Sequence, residues 1–266
     1  MPHITWCLTG HLTFLPIHTA GFYGGKGRLK VFDCVVSSYT PTVMALLTCG
    51  HPLPESHKGV RLLAVSQSVA QGQEHLPGTT CEVNAIQALQ AQNSCLHITT
   101  LNGKEATLEA VLQSMKHCNW VHLACHGVQD LARPTNSTFL INGRLMLNEV
   151  MKQSFSHTEL AVLSACQTAT GNSELPDKAI HLAAGMLMAG YGSVAGTMWS
   201  IYDNDTPIVA EKFYAYLIGE AAGDSTKAAY ALHTVVGYLQ DFRGKRDFAR
   251  WVPFIHLGIC SSPKPS

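Results

Sequence analysis

Short apolar runs alternate with helical patterns along most of the chain. Arg61–Ser66 reads as a buried strand. A glycine- and proline-containing loop leads from it to a helix from about Thr80 to Gln92, with Val83, Ile86 and Leu89 as its apolar stripe and Ala85 beside them. Thr79 and Glu82 have the spacing of a capping box at its start. His97–Leu101 reads as a strand, and Ala106–His117 as a helix with Leu108, Val111, Leu112 and Met115 on one face. Two unbroken apolar runs, Trp120–Cys125 and Leu160–Ala165, suit strands covered on both faces. Pro176–Ala189 follows as a helix, then Ser193–Trp199 as a strand. Asp205-Thr-Pro207 opens a helix to about Ile218, Ser225–Gln240 forms another, and Val252–Leu257 is a last strand. Near the N-terminus, Phe32–Ser37 reads as a strand, and Ile4–Cys7 with Leu12–Pro16 as a hairpin. The rhythm predicts βαβ units, hence an α/β fold with a mostly parallel central sheet flanked by helices.

Leu182–Ile201 carries no charge and has the length of a membrane span. Gly185, Gly190, Gly192 and Gly196 punctuate it, so it divides into a helix, a turn and a strand. Across 266 residues the chain is 46% hydrophobic and 14% charged, the balance of a folded protein. Eighteen basic and 18 acidic residues cancel, which supplies no electrostatic reason to expect nucleic acid or an anionic membrane as partner. Nine cysteines are too sparse for a disulfide scaffold, no CxxC pair has zinc spacing, and Cys34, Cys125 and Cys166 lie in apolar runs where burial is the ordinary expectation. Together with a Met1–Gly10 segment unlike a signal peptide, this points to a reducing, cytoplasmic setting. Residues 261–266 are polar and proline-containing, and are expected to be a flexible tail after one domain spanning 1–260.

In an open α/β sheet, reactive groups gather beyond the carboxyl ends of the strands. Val121–Cys125 runs into His126-Gly127, and Leu160–Ala165 runs into Cys166. If these strands are parallel neighbours, an imidazole and a thiol meet as general base and nucleophile. The N–H groups of Gly127 and Cys166 then become candidate oxyanion donors. Plainer readings exist for each residue: a strand cysteine is commonly a small core residue, and a strand histidine commonly a core or capping residue. Zinc is a further alternative through His122, Cys125 and His126. Alternation along a strand sets Cys125 on the face opposite to the two histidines.

Trp120-Val-His-Leu-Ala-Cys-His-Gly127, Leu163-Ser-Ala-Cys-Gln-Thr168, His181–Gly190 and Val194–Ile201 together resemble the CHAT domain, a relative of caspases and separases. Leu15–His18 and Val35–Pro41 match it as well, so the resemblance runs from about Leu12 to Gly258. It implies a caspase-like three-layer sandwich, with the family histidine on His126 and the nucleophile on Cys166. It also implies peptide-bond hydrolysis through a thioester, without cofactor or metal. By the same resemblance the segment Trp199–Asp205 would contribute to substrate binding, through Trp199, Ser200, Asp203 and Asp205. Asp203 and Asp205 would favour a basic substrate residue, although Asp205 also suits a helix cap, and Ser200 stands where separases carry an acid.

Similar CHAT sequences carry Asp-Glu where this chain has Asp177-Lys178, and the domain reads as N-terminally short. The family often follows tetratricopeptide-type repeats, so such repeats or a regulatory protein are the expected partners beside a protein or peptide substrate. The resulting expectation is a regulated cysteine endopeptidase. A catalytically inactive CHAT-fold interaction module is the alternative from a different class, and a thiol-based redox or acyl-transfer protein a third.

Overall fold

The structure, a computed structural model, describes residues 1–24, 29–48, 59–130, 133–153, 155, 157–167 and 178–261. Its strands are β1 (His3–Trp6), β2 (Val36–Tyr39), β3 (Val60–Ser66), β4 (Leu96–Asn102), β5 (Trp120–Val128), β6 (Thr138–Ile141), β7 (Gly143–Met146), β8 (Leu160–Gln167), β9 (Ser193–Thr197) and β10 (Phe254–Gly258). Eight of them form one sheet in the order β1-β2-β10-β9-β8-β5-β3-β4, with β6 and β7 attached beside β5. The β9–β10, β5–β6 and β6–β7 pairs are antiparallel, and the other pairs are parallel.

The helices are α1 (Val31–Cys34), α2 (Val43–Thr48), α3 (Gly78–Gln90), α4 (Leu108–Met115), α5 (Leu147–Met151), α6 (Lys178–Met188), α7 (Thr206–Ile218), α8 (Ala228–Arg243) and α9 (Phe248–Trp251). Alternation along the central strands sorts side chains into two cores. Val121, Leu123 and Cys125 of β5 join Leu63, Val65, Ala161 and Leu163 on the face covered by α4, α5 and α6. Trp120 of β5 joins Leu62 and Leu160 on the face covered by α3, α7 and α8, where Phe213, Tyr214, Leu232 and Val235 pack. This is the mostly parallel sheet flanked by helices that the apolar rhythm predicts and the three-layer sandwich that the resemblance implies, and burial on both sides explains why β5 and β8 read as unbroken apolar runs.

Three expectations near the N-terminus fail. Ile4–Cys7 and Leu12–Pro16 form no hairpin: β1 pairs in parallel with β2, and Gly10–Phe14 is a 3-10 turn that leaves Leu12 51% exposed. Phe32 leaves the strand expected over Phe32–Ser37 and enters α1, where its ring stacks on His233 at 4.2 Å. Cys34 of the same segment is exposed rather than buried. The segment Leu182–Ile201 divides as its glycines suggest, with Gly190 (φ 104°) in the left-handed region between α6 and β9. Among the described residues no helix is long and apolar enough to cross a membrane. Ser261, expected to begin a frayed tail, donates its N–H to the Thr226 carbonyl, and Lys227 Nζ reaches its oxygen at 2.8 Å. Residues 262–266 lie outside the described residues.

The edge formed by β1, β2 and β10 is tied by buried histidines. Ser38 Oγ bridges His3 Nε2 and His256 Nδ1, each at 2.7 Å, and His256 Nε2 meets Ser193 Oγ at 2.7 Å. His18 donates from Nε2 to the Val252 carbonyl at 3.1 Å and receives the Tyr39 hydroxyl on Nδ1 at 2.7 Å. Burial pushes the His18 imidazole down to about 4 and that of His256 down to about 3, from an ordinary 6.5. The unfolded chain therefore binds these protons first, and stability is complete above pH 6.5 and lost as pH falls toward 4 and 3. Lowering the pH from 6.5 to 5 should remove about 2 kcal/mol for each of the two histidines. Urea unfolding at a series of pH values measures it, and a midpoint that stays level over this range would contradict the assignment.

Candidate active site

β5 and β8 are parallel neighbours, and their register places His122 beside Val162, Ala124 beside Ser164, His126 beside Cys166 and Gly127 beside Gln167. Both strands outrun their outer partners. β3 accompanies β5 only as far as the Ser66–Ala124 pair, and β9 accompanies β8 only as far as the Ala195–Val162 pair. The paired His126 and Cys166 positions thus stand at the carboxyl end of the sheet, where neighbouring strands have withdrawn. His126 does not follow its strand, as the sequence suggests, but lies within it. β6 takes over the margin that β3 leaves, pairing Leu140 with His126 and Phe139 with Gly127.

Beyond β3 the chain crosses in front of this margin before entering α3. The carbonyl of Glu74 in that crossing lies 2.8 Å from His126 Nε2. A carbonyl oxygen only accepts, so the neutral ring carries its proton on Nε2 and keeps the lone pair on Nδ1. Nδ1 is buried and has no hydrogen-bond partner among the described residues. The imidazole is thereby oriented by one nitrogen and left basic at the other, the arrangement a general base requires.

A second polar cluster lies beneath it on the same sheet face. His122 Nε2 stands 3.0 Å from Glu82 Oε1, and His122 Nδ1 lies 3.2 Å from the Tyr214 hydroxyl. Ser164 donates its hydroxyl to Glu82 Oε2 at 2.9 Å. Burial first, and then the neighbouring Glu82 carboxylate, hold the Tyr214 hydroxyl well above its ordinary range, so it stays protonated. His122 thus has a hydrogen bond at Nδ1 and, at Nε2, an ion-pair contact with Glu82 that lacks hydrogen-bond geometry, while Cys125 packs in the opposite core. Among the described residues no three His, Cys, Asp or Glu side chains converge as metal ligands.

Glu82 corrects the capping-box expectation. α3 begins at Gly78, so Thr79 already lies in its first turn and donates to the Leu76 carbonyl. Glu82 faces the sheet instead and is 2% exposed. Glu74, Ser164 and Tyr214 were not legible as site neighbours, because each joins the cluster only through tertiary packing.

The segment Trp199–Asp205 connects β9 to α7. Trp199 is 37% exposed and Ser200 is also exposed. Asp203 Oδ2 accepts the Gly78 N–H at 2.7 Å. Asp205 is 1% exposed, with Oδ1 held by Arg243 at 2.8 Å and Oδ2 by Arg250 at 2.8 Å. Its side chain makes no cap bond to α7, although its carbonyl accepts the Val209 N–H. The basic groups that Asp205 holds are thus the protein's own. Thr168–Gly171 and Asp177 lie outside the described residues, and Lys178 begins α6. Asp205→Ala should lower stability by about 2–3 kcal/mol, through loss of charged hydrogen bonds at a buried carboxylate. Thermal unfolding tests this, and an unchanged melting temperature would refute the structural role.

Comparison with known proteins bears on this geometry. No curated protein sequence matches the chain. Saccharomyces cerevisiae separase, solved in complex with securin, superposes with a TM-score of 0.57 at 13% identity, over 92% of this chain and 14% of that one. The Arg-specific cysteine proteinase gingipain R superposes with a TM-score of 0.54 at 10% identity, over 85% of this chain and 54% of that one. A complex of the pro- and mature domains of gingipain RgpB from Porphyromonas gingivalis scores 0.54 at 9% identity, over 85% and 55%. The chain thus spans about a seventh of separase and about half of gingipain, and the likeness establishes a caspase-like fold. A sequence profile of the CHAT domain matches residues 1–259, and with nearly its whole length inside that match the chain belongs to the CHAT domain family.

Proposed function

We propose that this CHAT domain, taken as one domain over residues 1–260, is a cysteine endopeptidase in which His126 and Cys166 form the catalytic pair. The observation that carries the reading is the register of β5 on β8, which sets the two residues side by side at the open end of the sheet. The proton held on His126 Nε2 by Glu74 adds to it, since the other ring nitrogen stays basic.

In this reading Nδ1 takes the thiol proton of Cys166, and the thiolate attacks the carbonyl carbon of the scissile bond. Charge gathers on the carbonyl oxygen, with the N–H groups of Gly127 and Cys166 as donors to it. Collapse breaks the C–N bond, the imidazolium gives its proton to the departing amine, and a thioester remains. His126 then deprotonates water, whose attack on the thioester releases the acid and restores the thiol. No cofactor enters this sequence.

Of the four residues proposed for substrate binding, Trp199 and Ser200 are exposed, while Asp203 and Asp205 shape the segment from inside through Gly78 and the two arginines. Gingipain R is described as Arg-specific, and the corresponding preference here would need an acid other than Asp205. The separase complex with securin supports a regulatory protein partner as part of the proposal.

The test is digestion of a diverse peptide library by the wild type, Cys166→Ala and His126→Ala, read by mass spectrometry. Cleavage by the wild type alone, with each variant reduced at least about a thousandfold, is expected from loss of nucleophile or base. Silence from all three folded proteins would favour the non-proteolytic interaction module.

A further inference from the structure

We propose that Glu82 is a positioning residue for the His126/Cys166 pair, a strap that fixes the two catalytic strands and the loop behind the histidine to one another. This rests on the peptidase reading. One carboxyl group contacts both strands, through an ion-pair distance on one and a hydrogen bond on the other. Oε1 stands 3.0 Å from His122 Nε2 on β5, four residues before His126, and Oε2 accepts the Ser164 hydroxyl at 2.9 Å on β8, two residues before Cys166. The rise of a strand puts these anchor points about 13 Å and about 7 Å below the paired residues, so Glu82 acts through the backbone and not on the reacting atoms.

The same residue controls the third support of the site. Glu82 sits on α3, which starts at Gly78, and the Glu74 carbonyl that orients His126 belongs to the chain just before it. The start of α3 is held at two points. Asp203 accepts the Gly78 N–H, and a Cβ at position 78 would stand 2.3 Å from the Asp203 carbonyl oxygen, so only glycine allows that approach. Glu82, about one turn further on, ties the helix to the sheet. Shifting α3 would move the Glu74 carbonyl away from Nε2 and release the tautomer of His126.

A carboxyl group is an expensive choice if packing alone were needed. Burying a polar group costs several kcal/mol unless it is fully bonded, and an apolar side chain of similar volume usually stabilises as well or better. What a bonded carboxyl adds is direction, which matters where displacements of about 1 Å change rates by about a hundredfold. Glu82, His122, Ser164 and Tyr214 are all at most 8% exposed, so water does not compete for these bonds.

The experiment is the pH dependence of Cys166 alkylation by iodoacetamide, followed by mass spectrometry, with exposed Cys7 and Cys95 of the same chain as references. It needs no substrate. In the wild type, pairing with His126 holds the Cys166 midpoint below that of the reference thiols. Glu82→Gln keeps the shape but removes the negative charge facing His122 and replaces one of the two oxygens that face His122 and Ser164 with an amide NH2. It should raise the Cys166 midpoint by about one pH unit, a roughly tenfold loss of thiolate at neutral pH. His126→Ala should raise it at least as far. A folded Glu82→Gln protein whose profile overlays the wild type, while His126→Ala shifts, overturns the strap and leaves the dyad standing. That holds even if its melting temperature drops. If His126→Ala leaves the profile unchanged, the dyad reading fails and the proposal with it. Should Glu82→Gln not fold, Ser164→Ala removes the β8 bond alone and carries the same expectation and the same refutation.

Discussion

Everything proposed for this protein depends on the parallel pairing of β5 with β8. Eight consecutive pairs, from Trp120 beside Leu160 to Gly127 beside Gln167, lock the strands against slippage. A shift by one residue would move each side chain to the other face, exchanging Trp120 and Val121 between two differently shaped cores. Both faces are buried, so this register is enforced by packing on two sides at once. The position of His126 opposite Cys166 is a consequence of that enforcement.

The cores impose the register, and polar groups refine it. The helices α3 and α7 bring Glu82 and Tyr214 onto the same face as His122, so a layer of polar contacts lies between the apolar core and the open end of the sheet. Side chains in that layer are nearly inaccessible to water, where an unmade bond is costly and a made one is directional. Helix α3 is thereby positioned from below, and the loop leading into it orients His126 from above. Asp203 and Asp205 do comparable work at the other margin, binding α3 and two arginines to the connection between β9 and α7.

Likeness to separase and gingipain at 13% and 10% identity shows how little of the sequence this architecture demands. Layered α/β folds tolerate exchange of their apolar residues when volume and periodicity are kept. Activity is held instead by a few positions at the strand ends. For this chain the positions proposed for that role are His126, Gly127 and Cys166, with α3 and its leading loop packed beside them.

The sequence by itself determined the central strands, the principal helices, the placing of His126 and Cys166 on two successive apolar strands and the family. These are local or periodic signals: apolar runs of strand length, 3.6-residue stripes, glycine punctuation and several ordered motifs. It did not determine the parallel pairing of β1 with β2, because an edge strand takes whichever partner the assembled sheet presents. Nor did it reveal the hairpin of β6 and β7 that carries β5 past β3, or the inward turn of Glu82. A Thr and a Glu three residues apart satisfy a helix cap equally well in sequence. Only the packing of α3 against β5 and β8, which places His122 and Ser164 within bonding distance, made the glutamate part of the site.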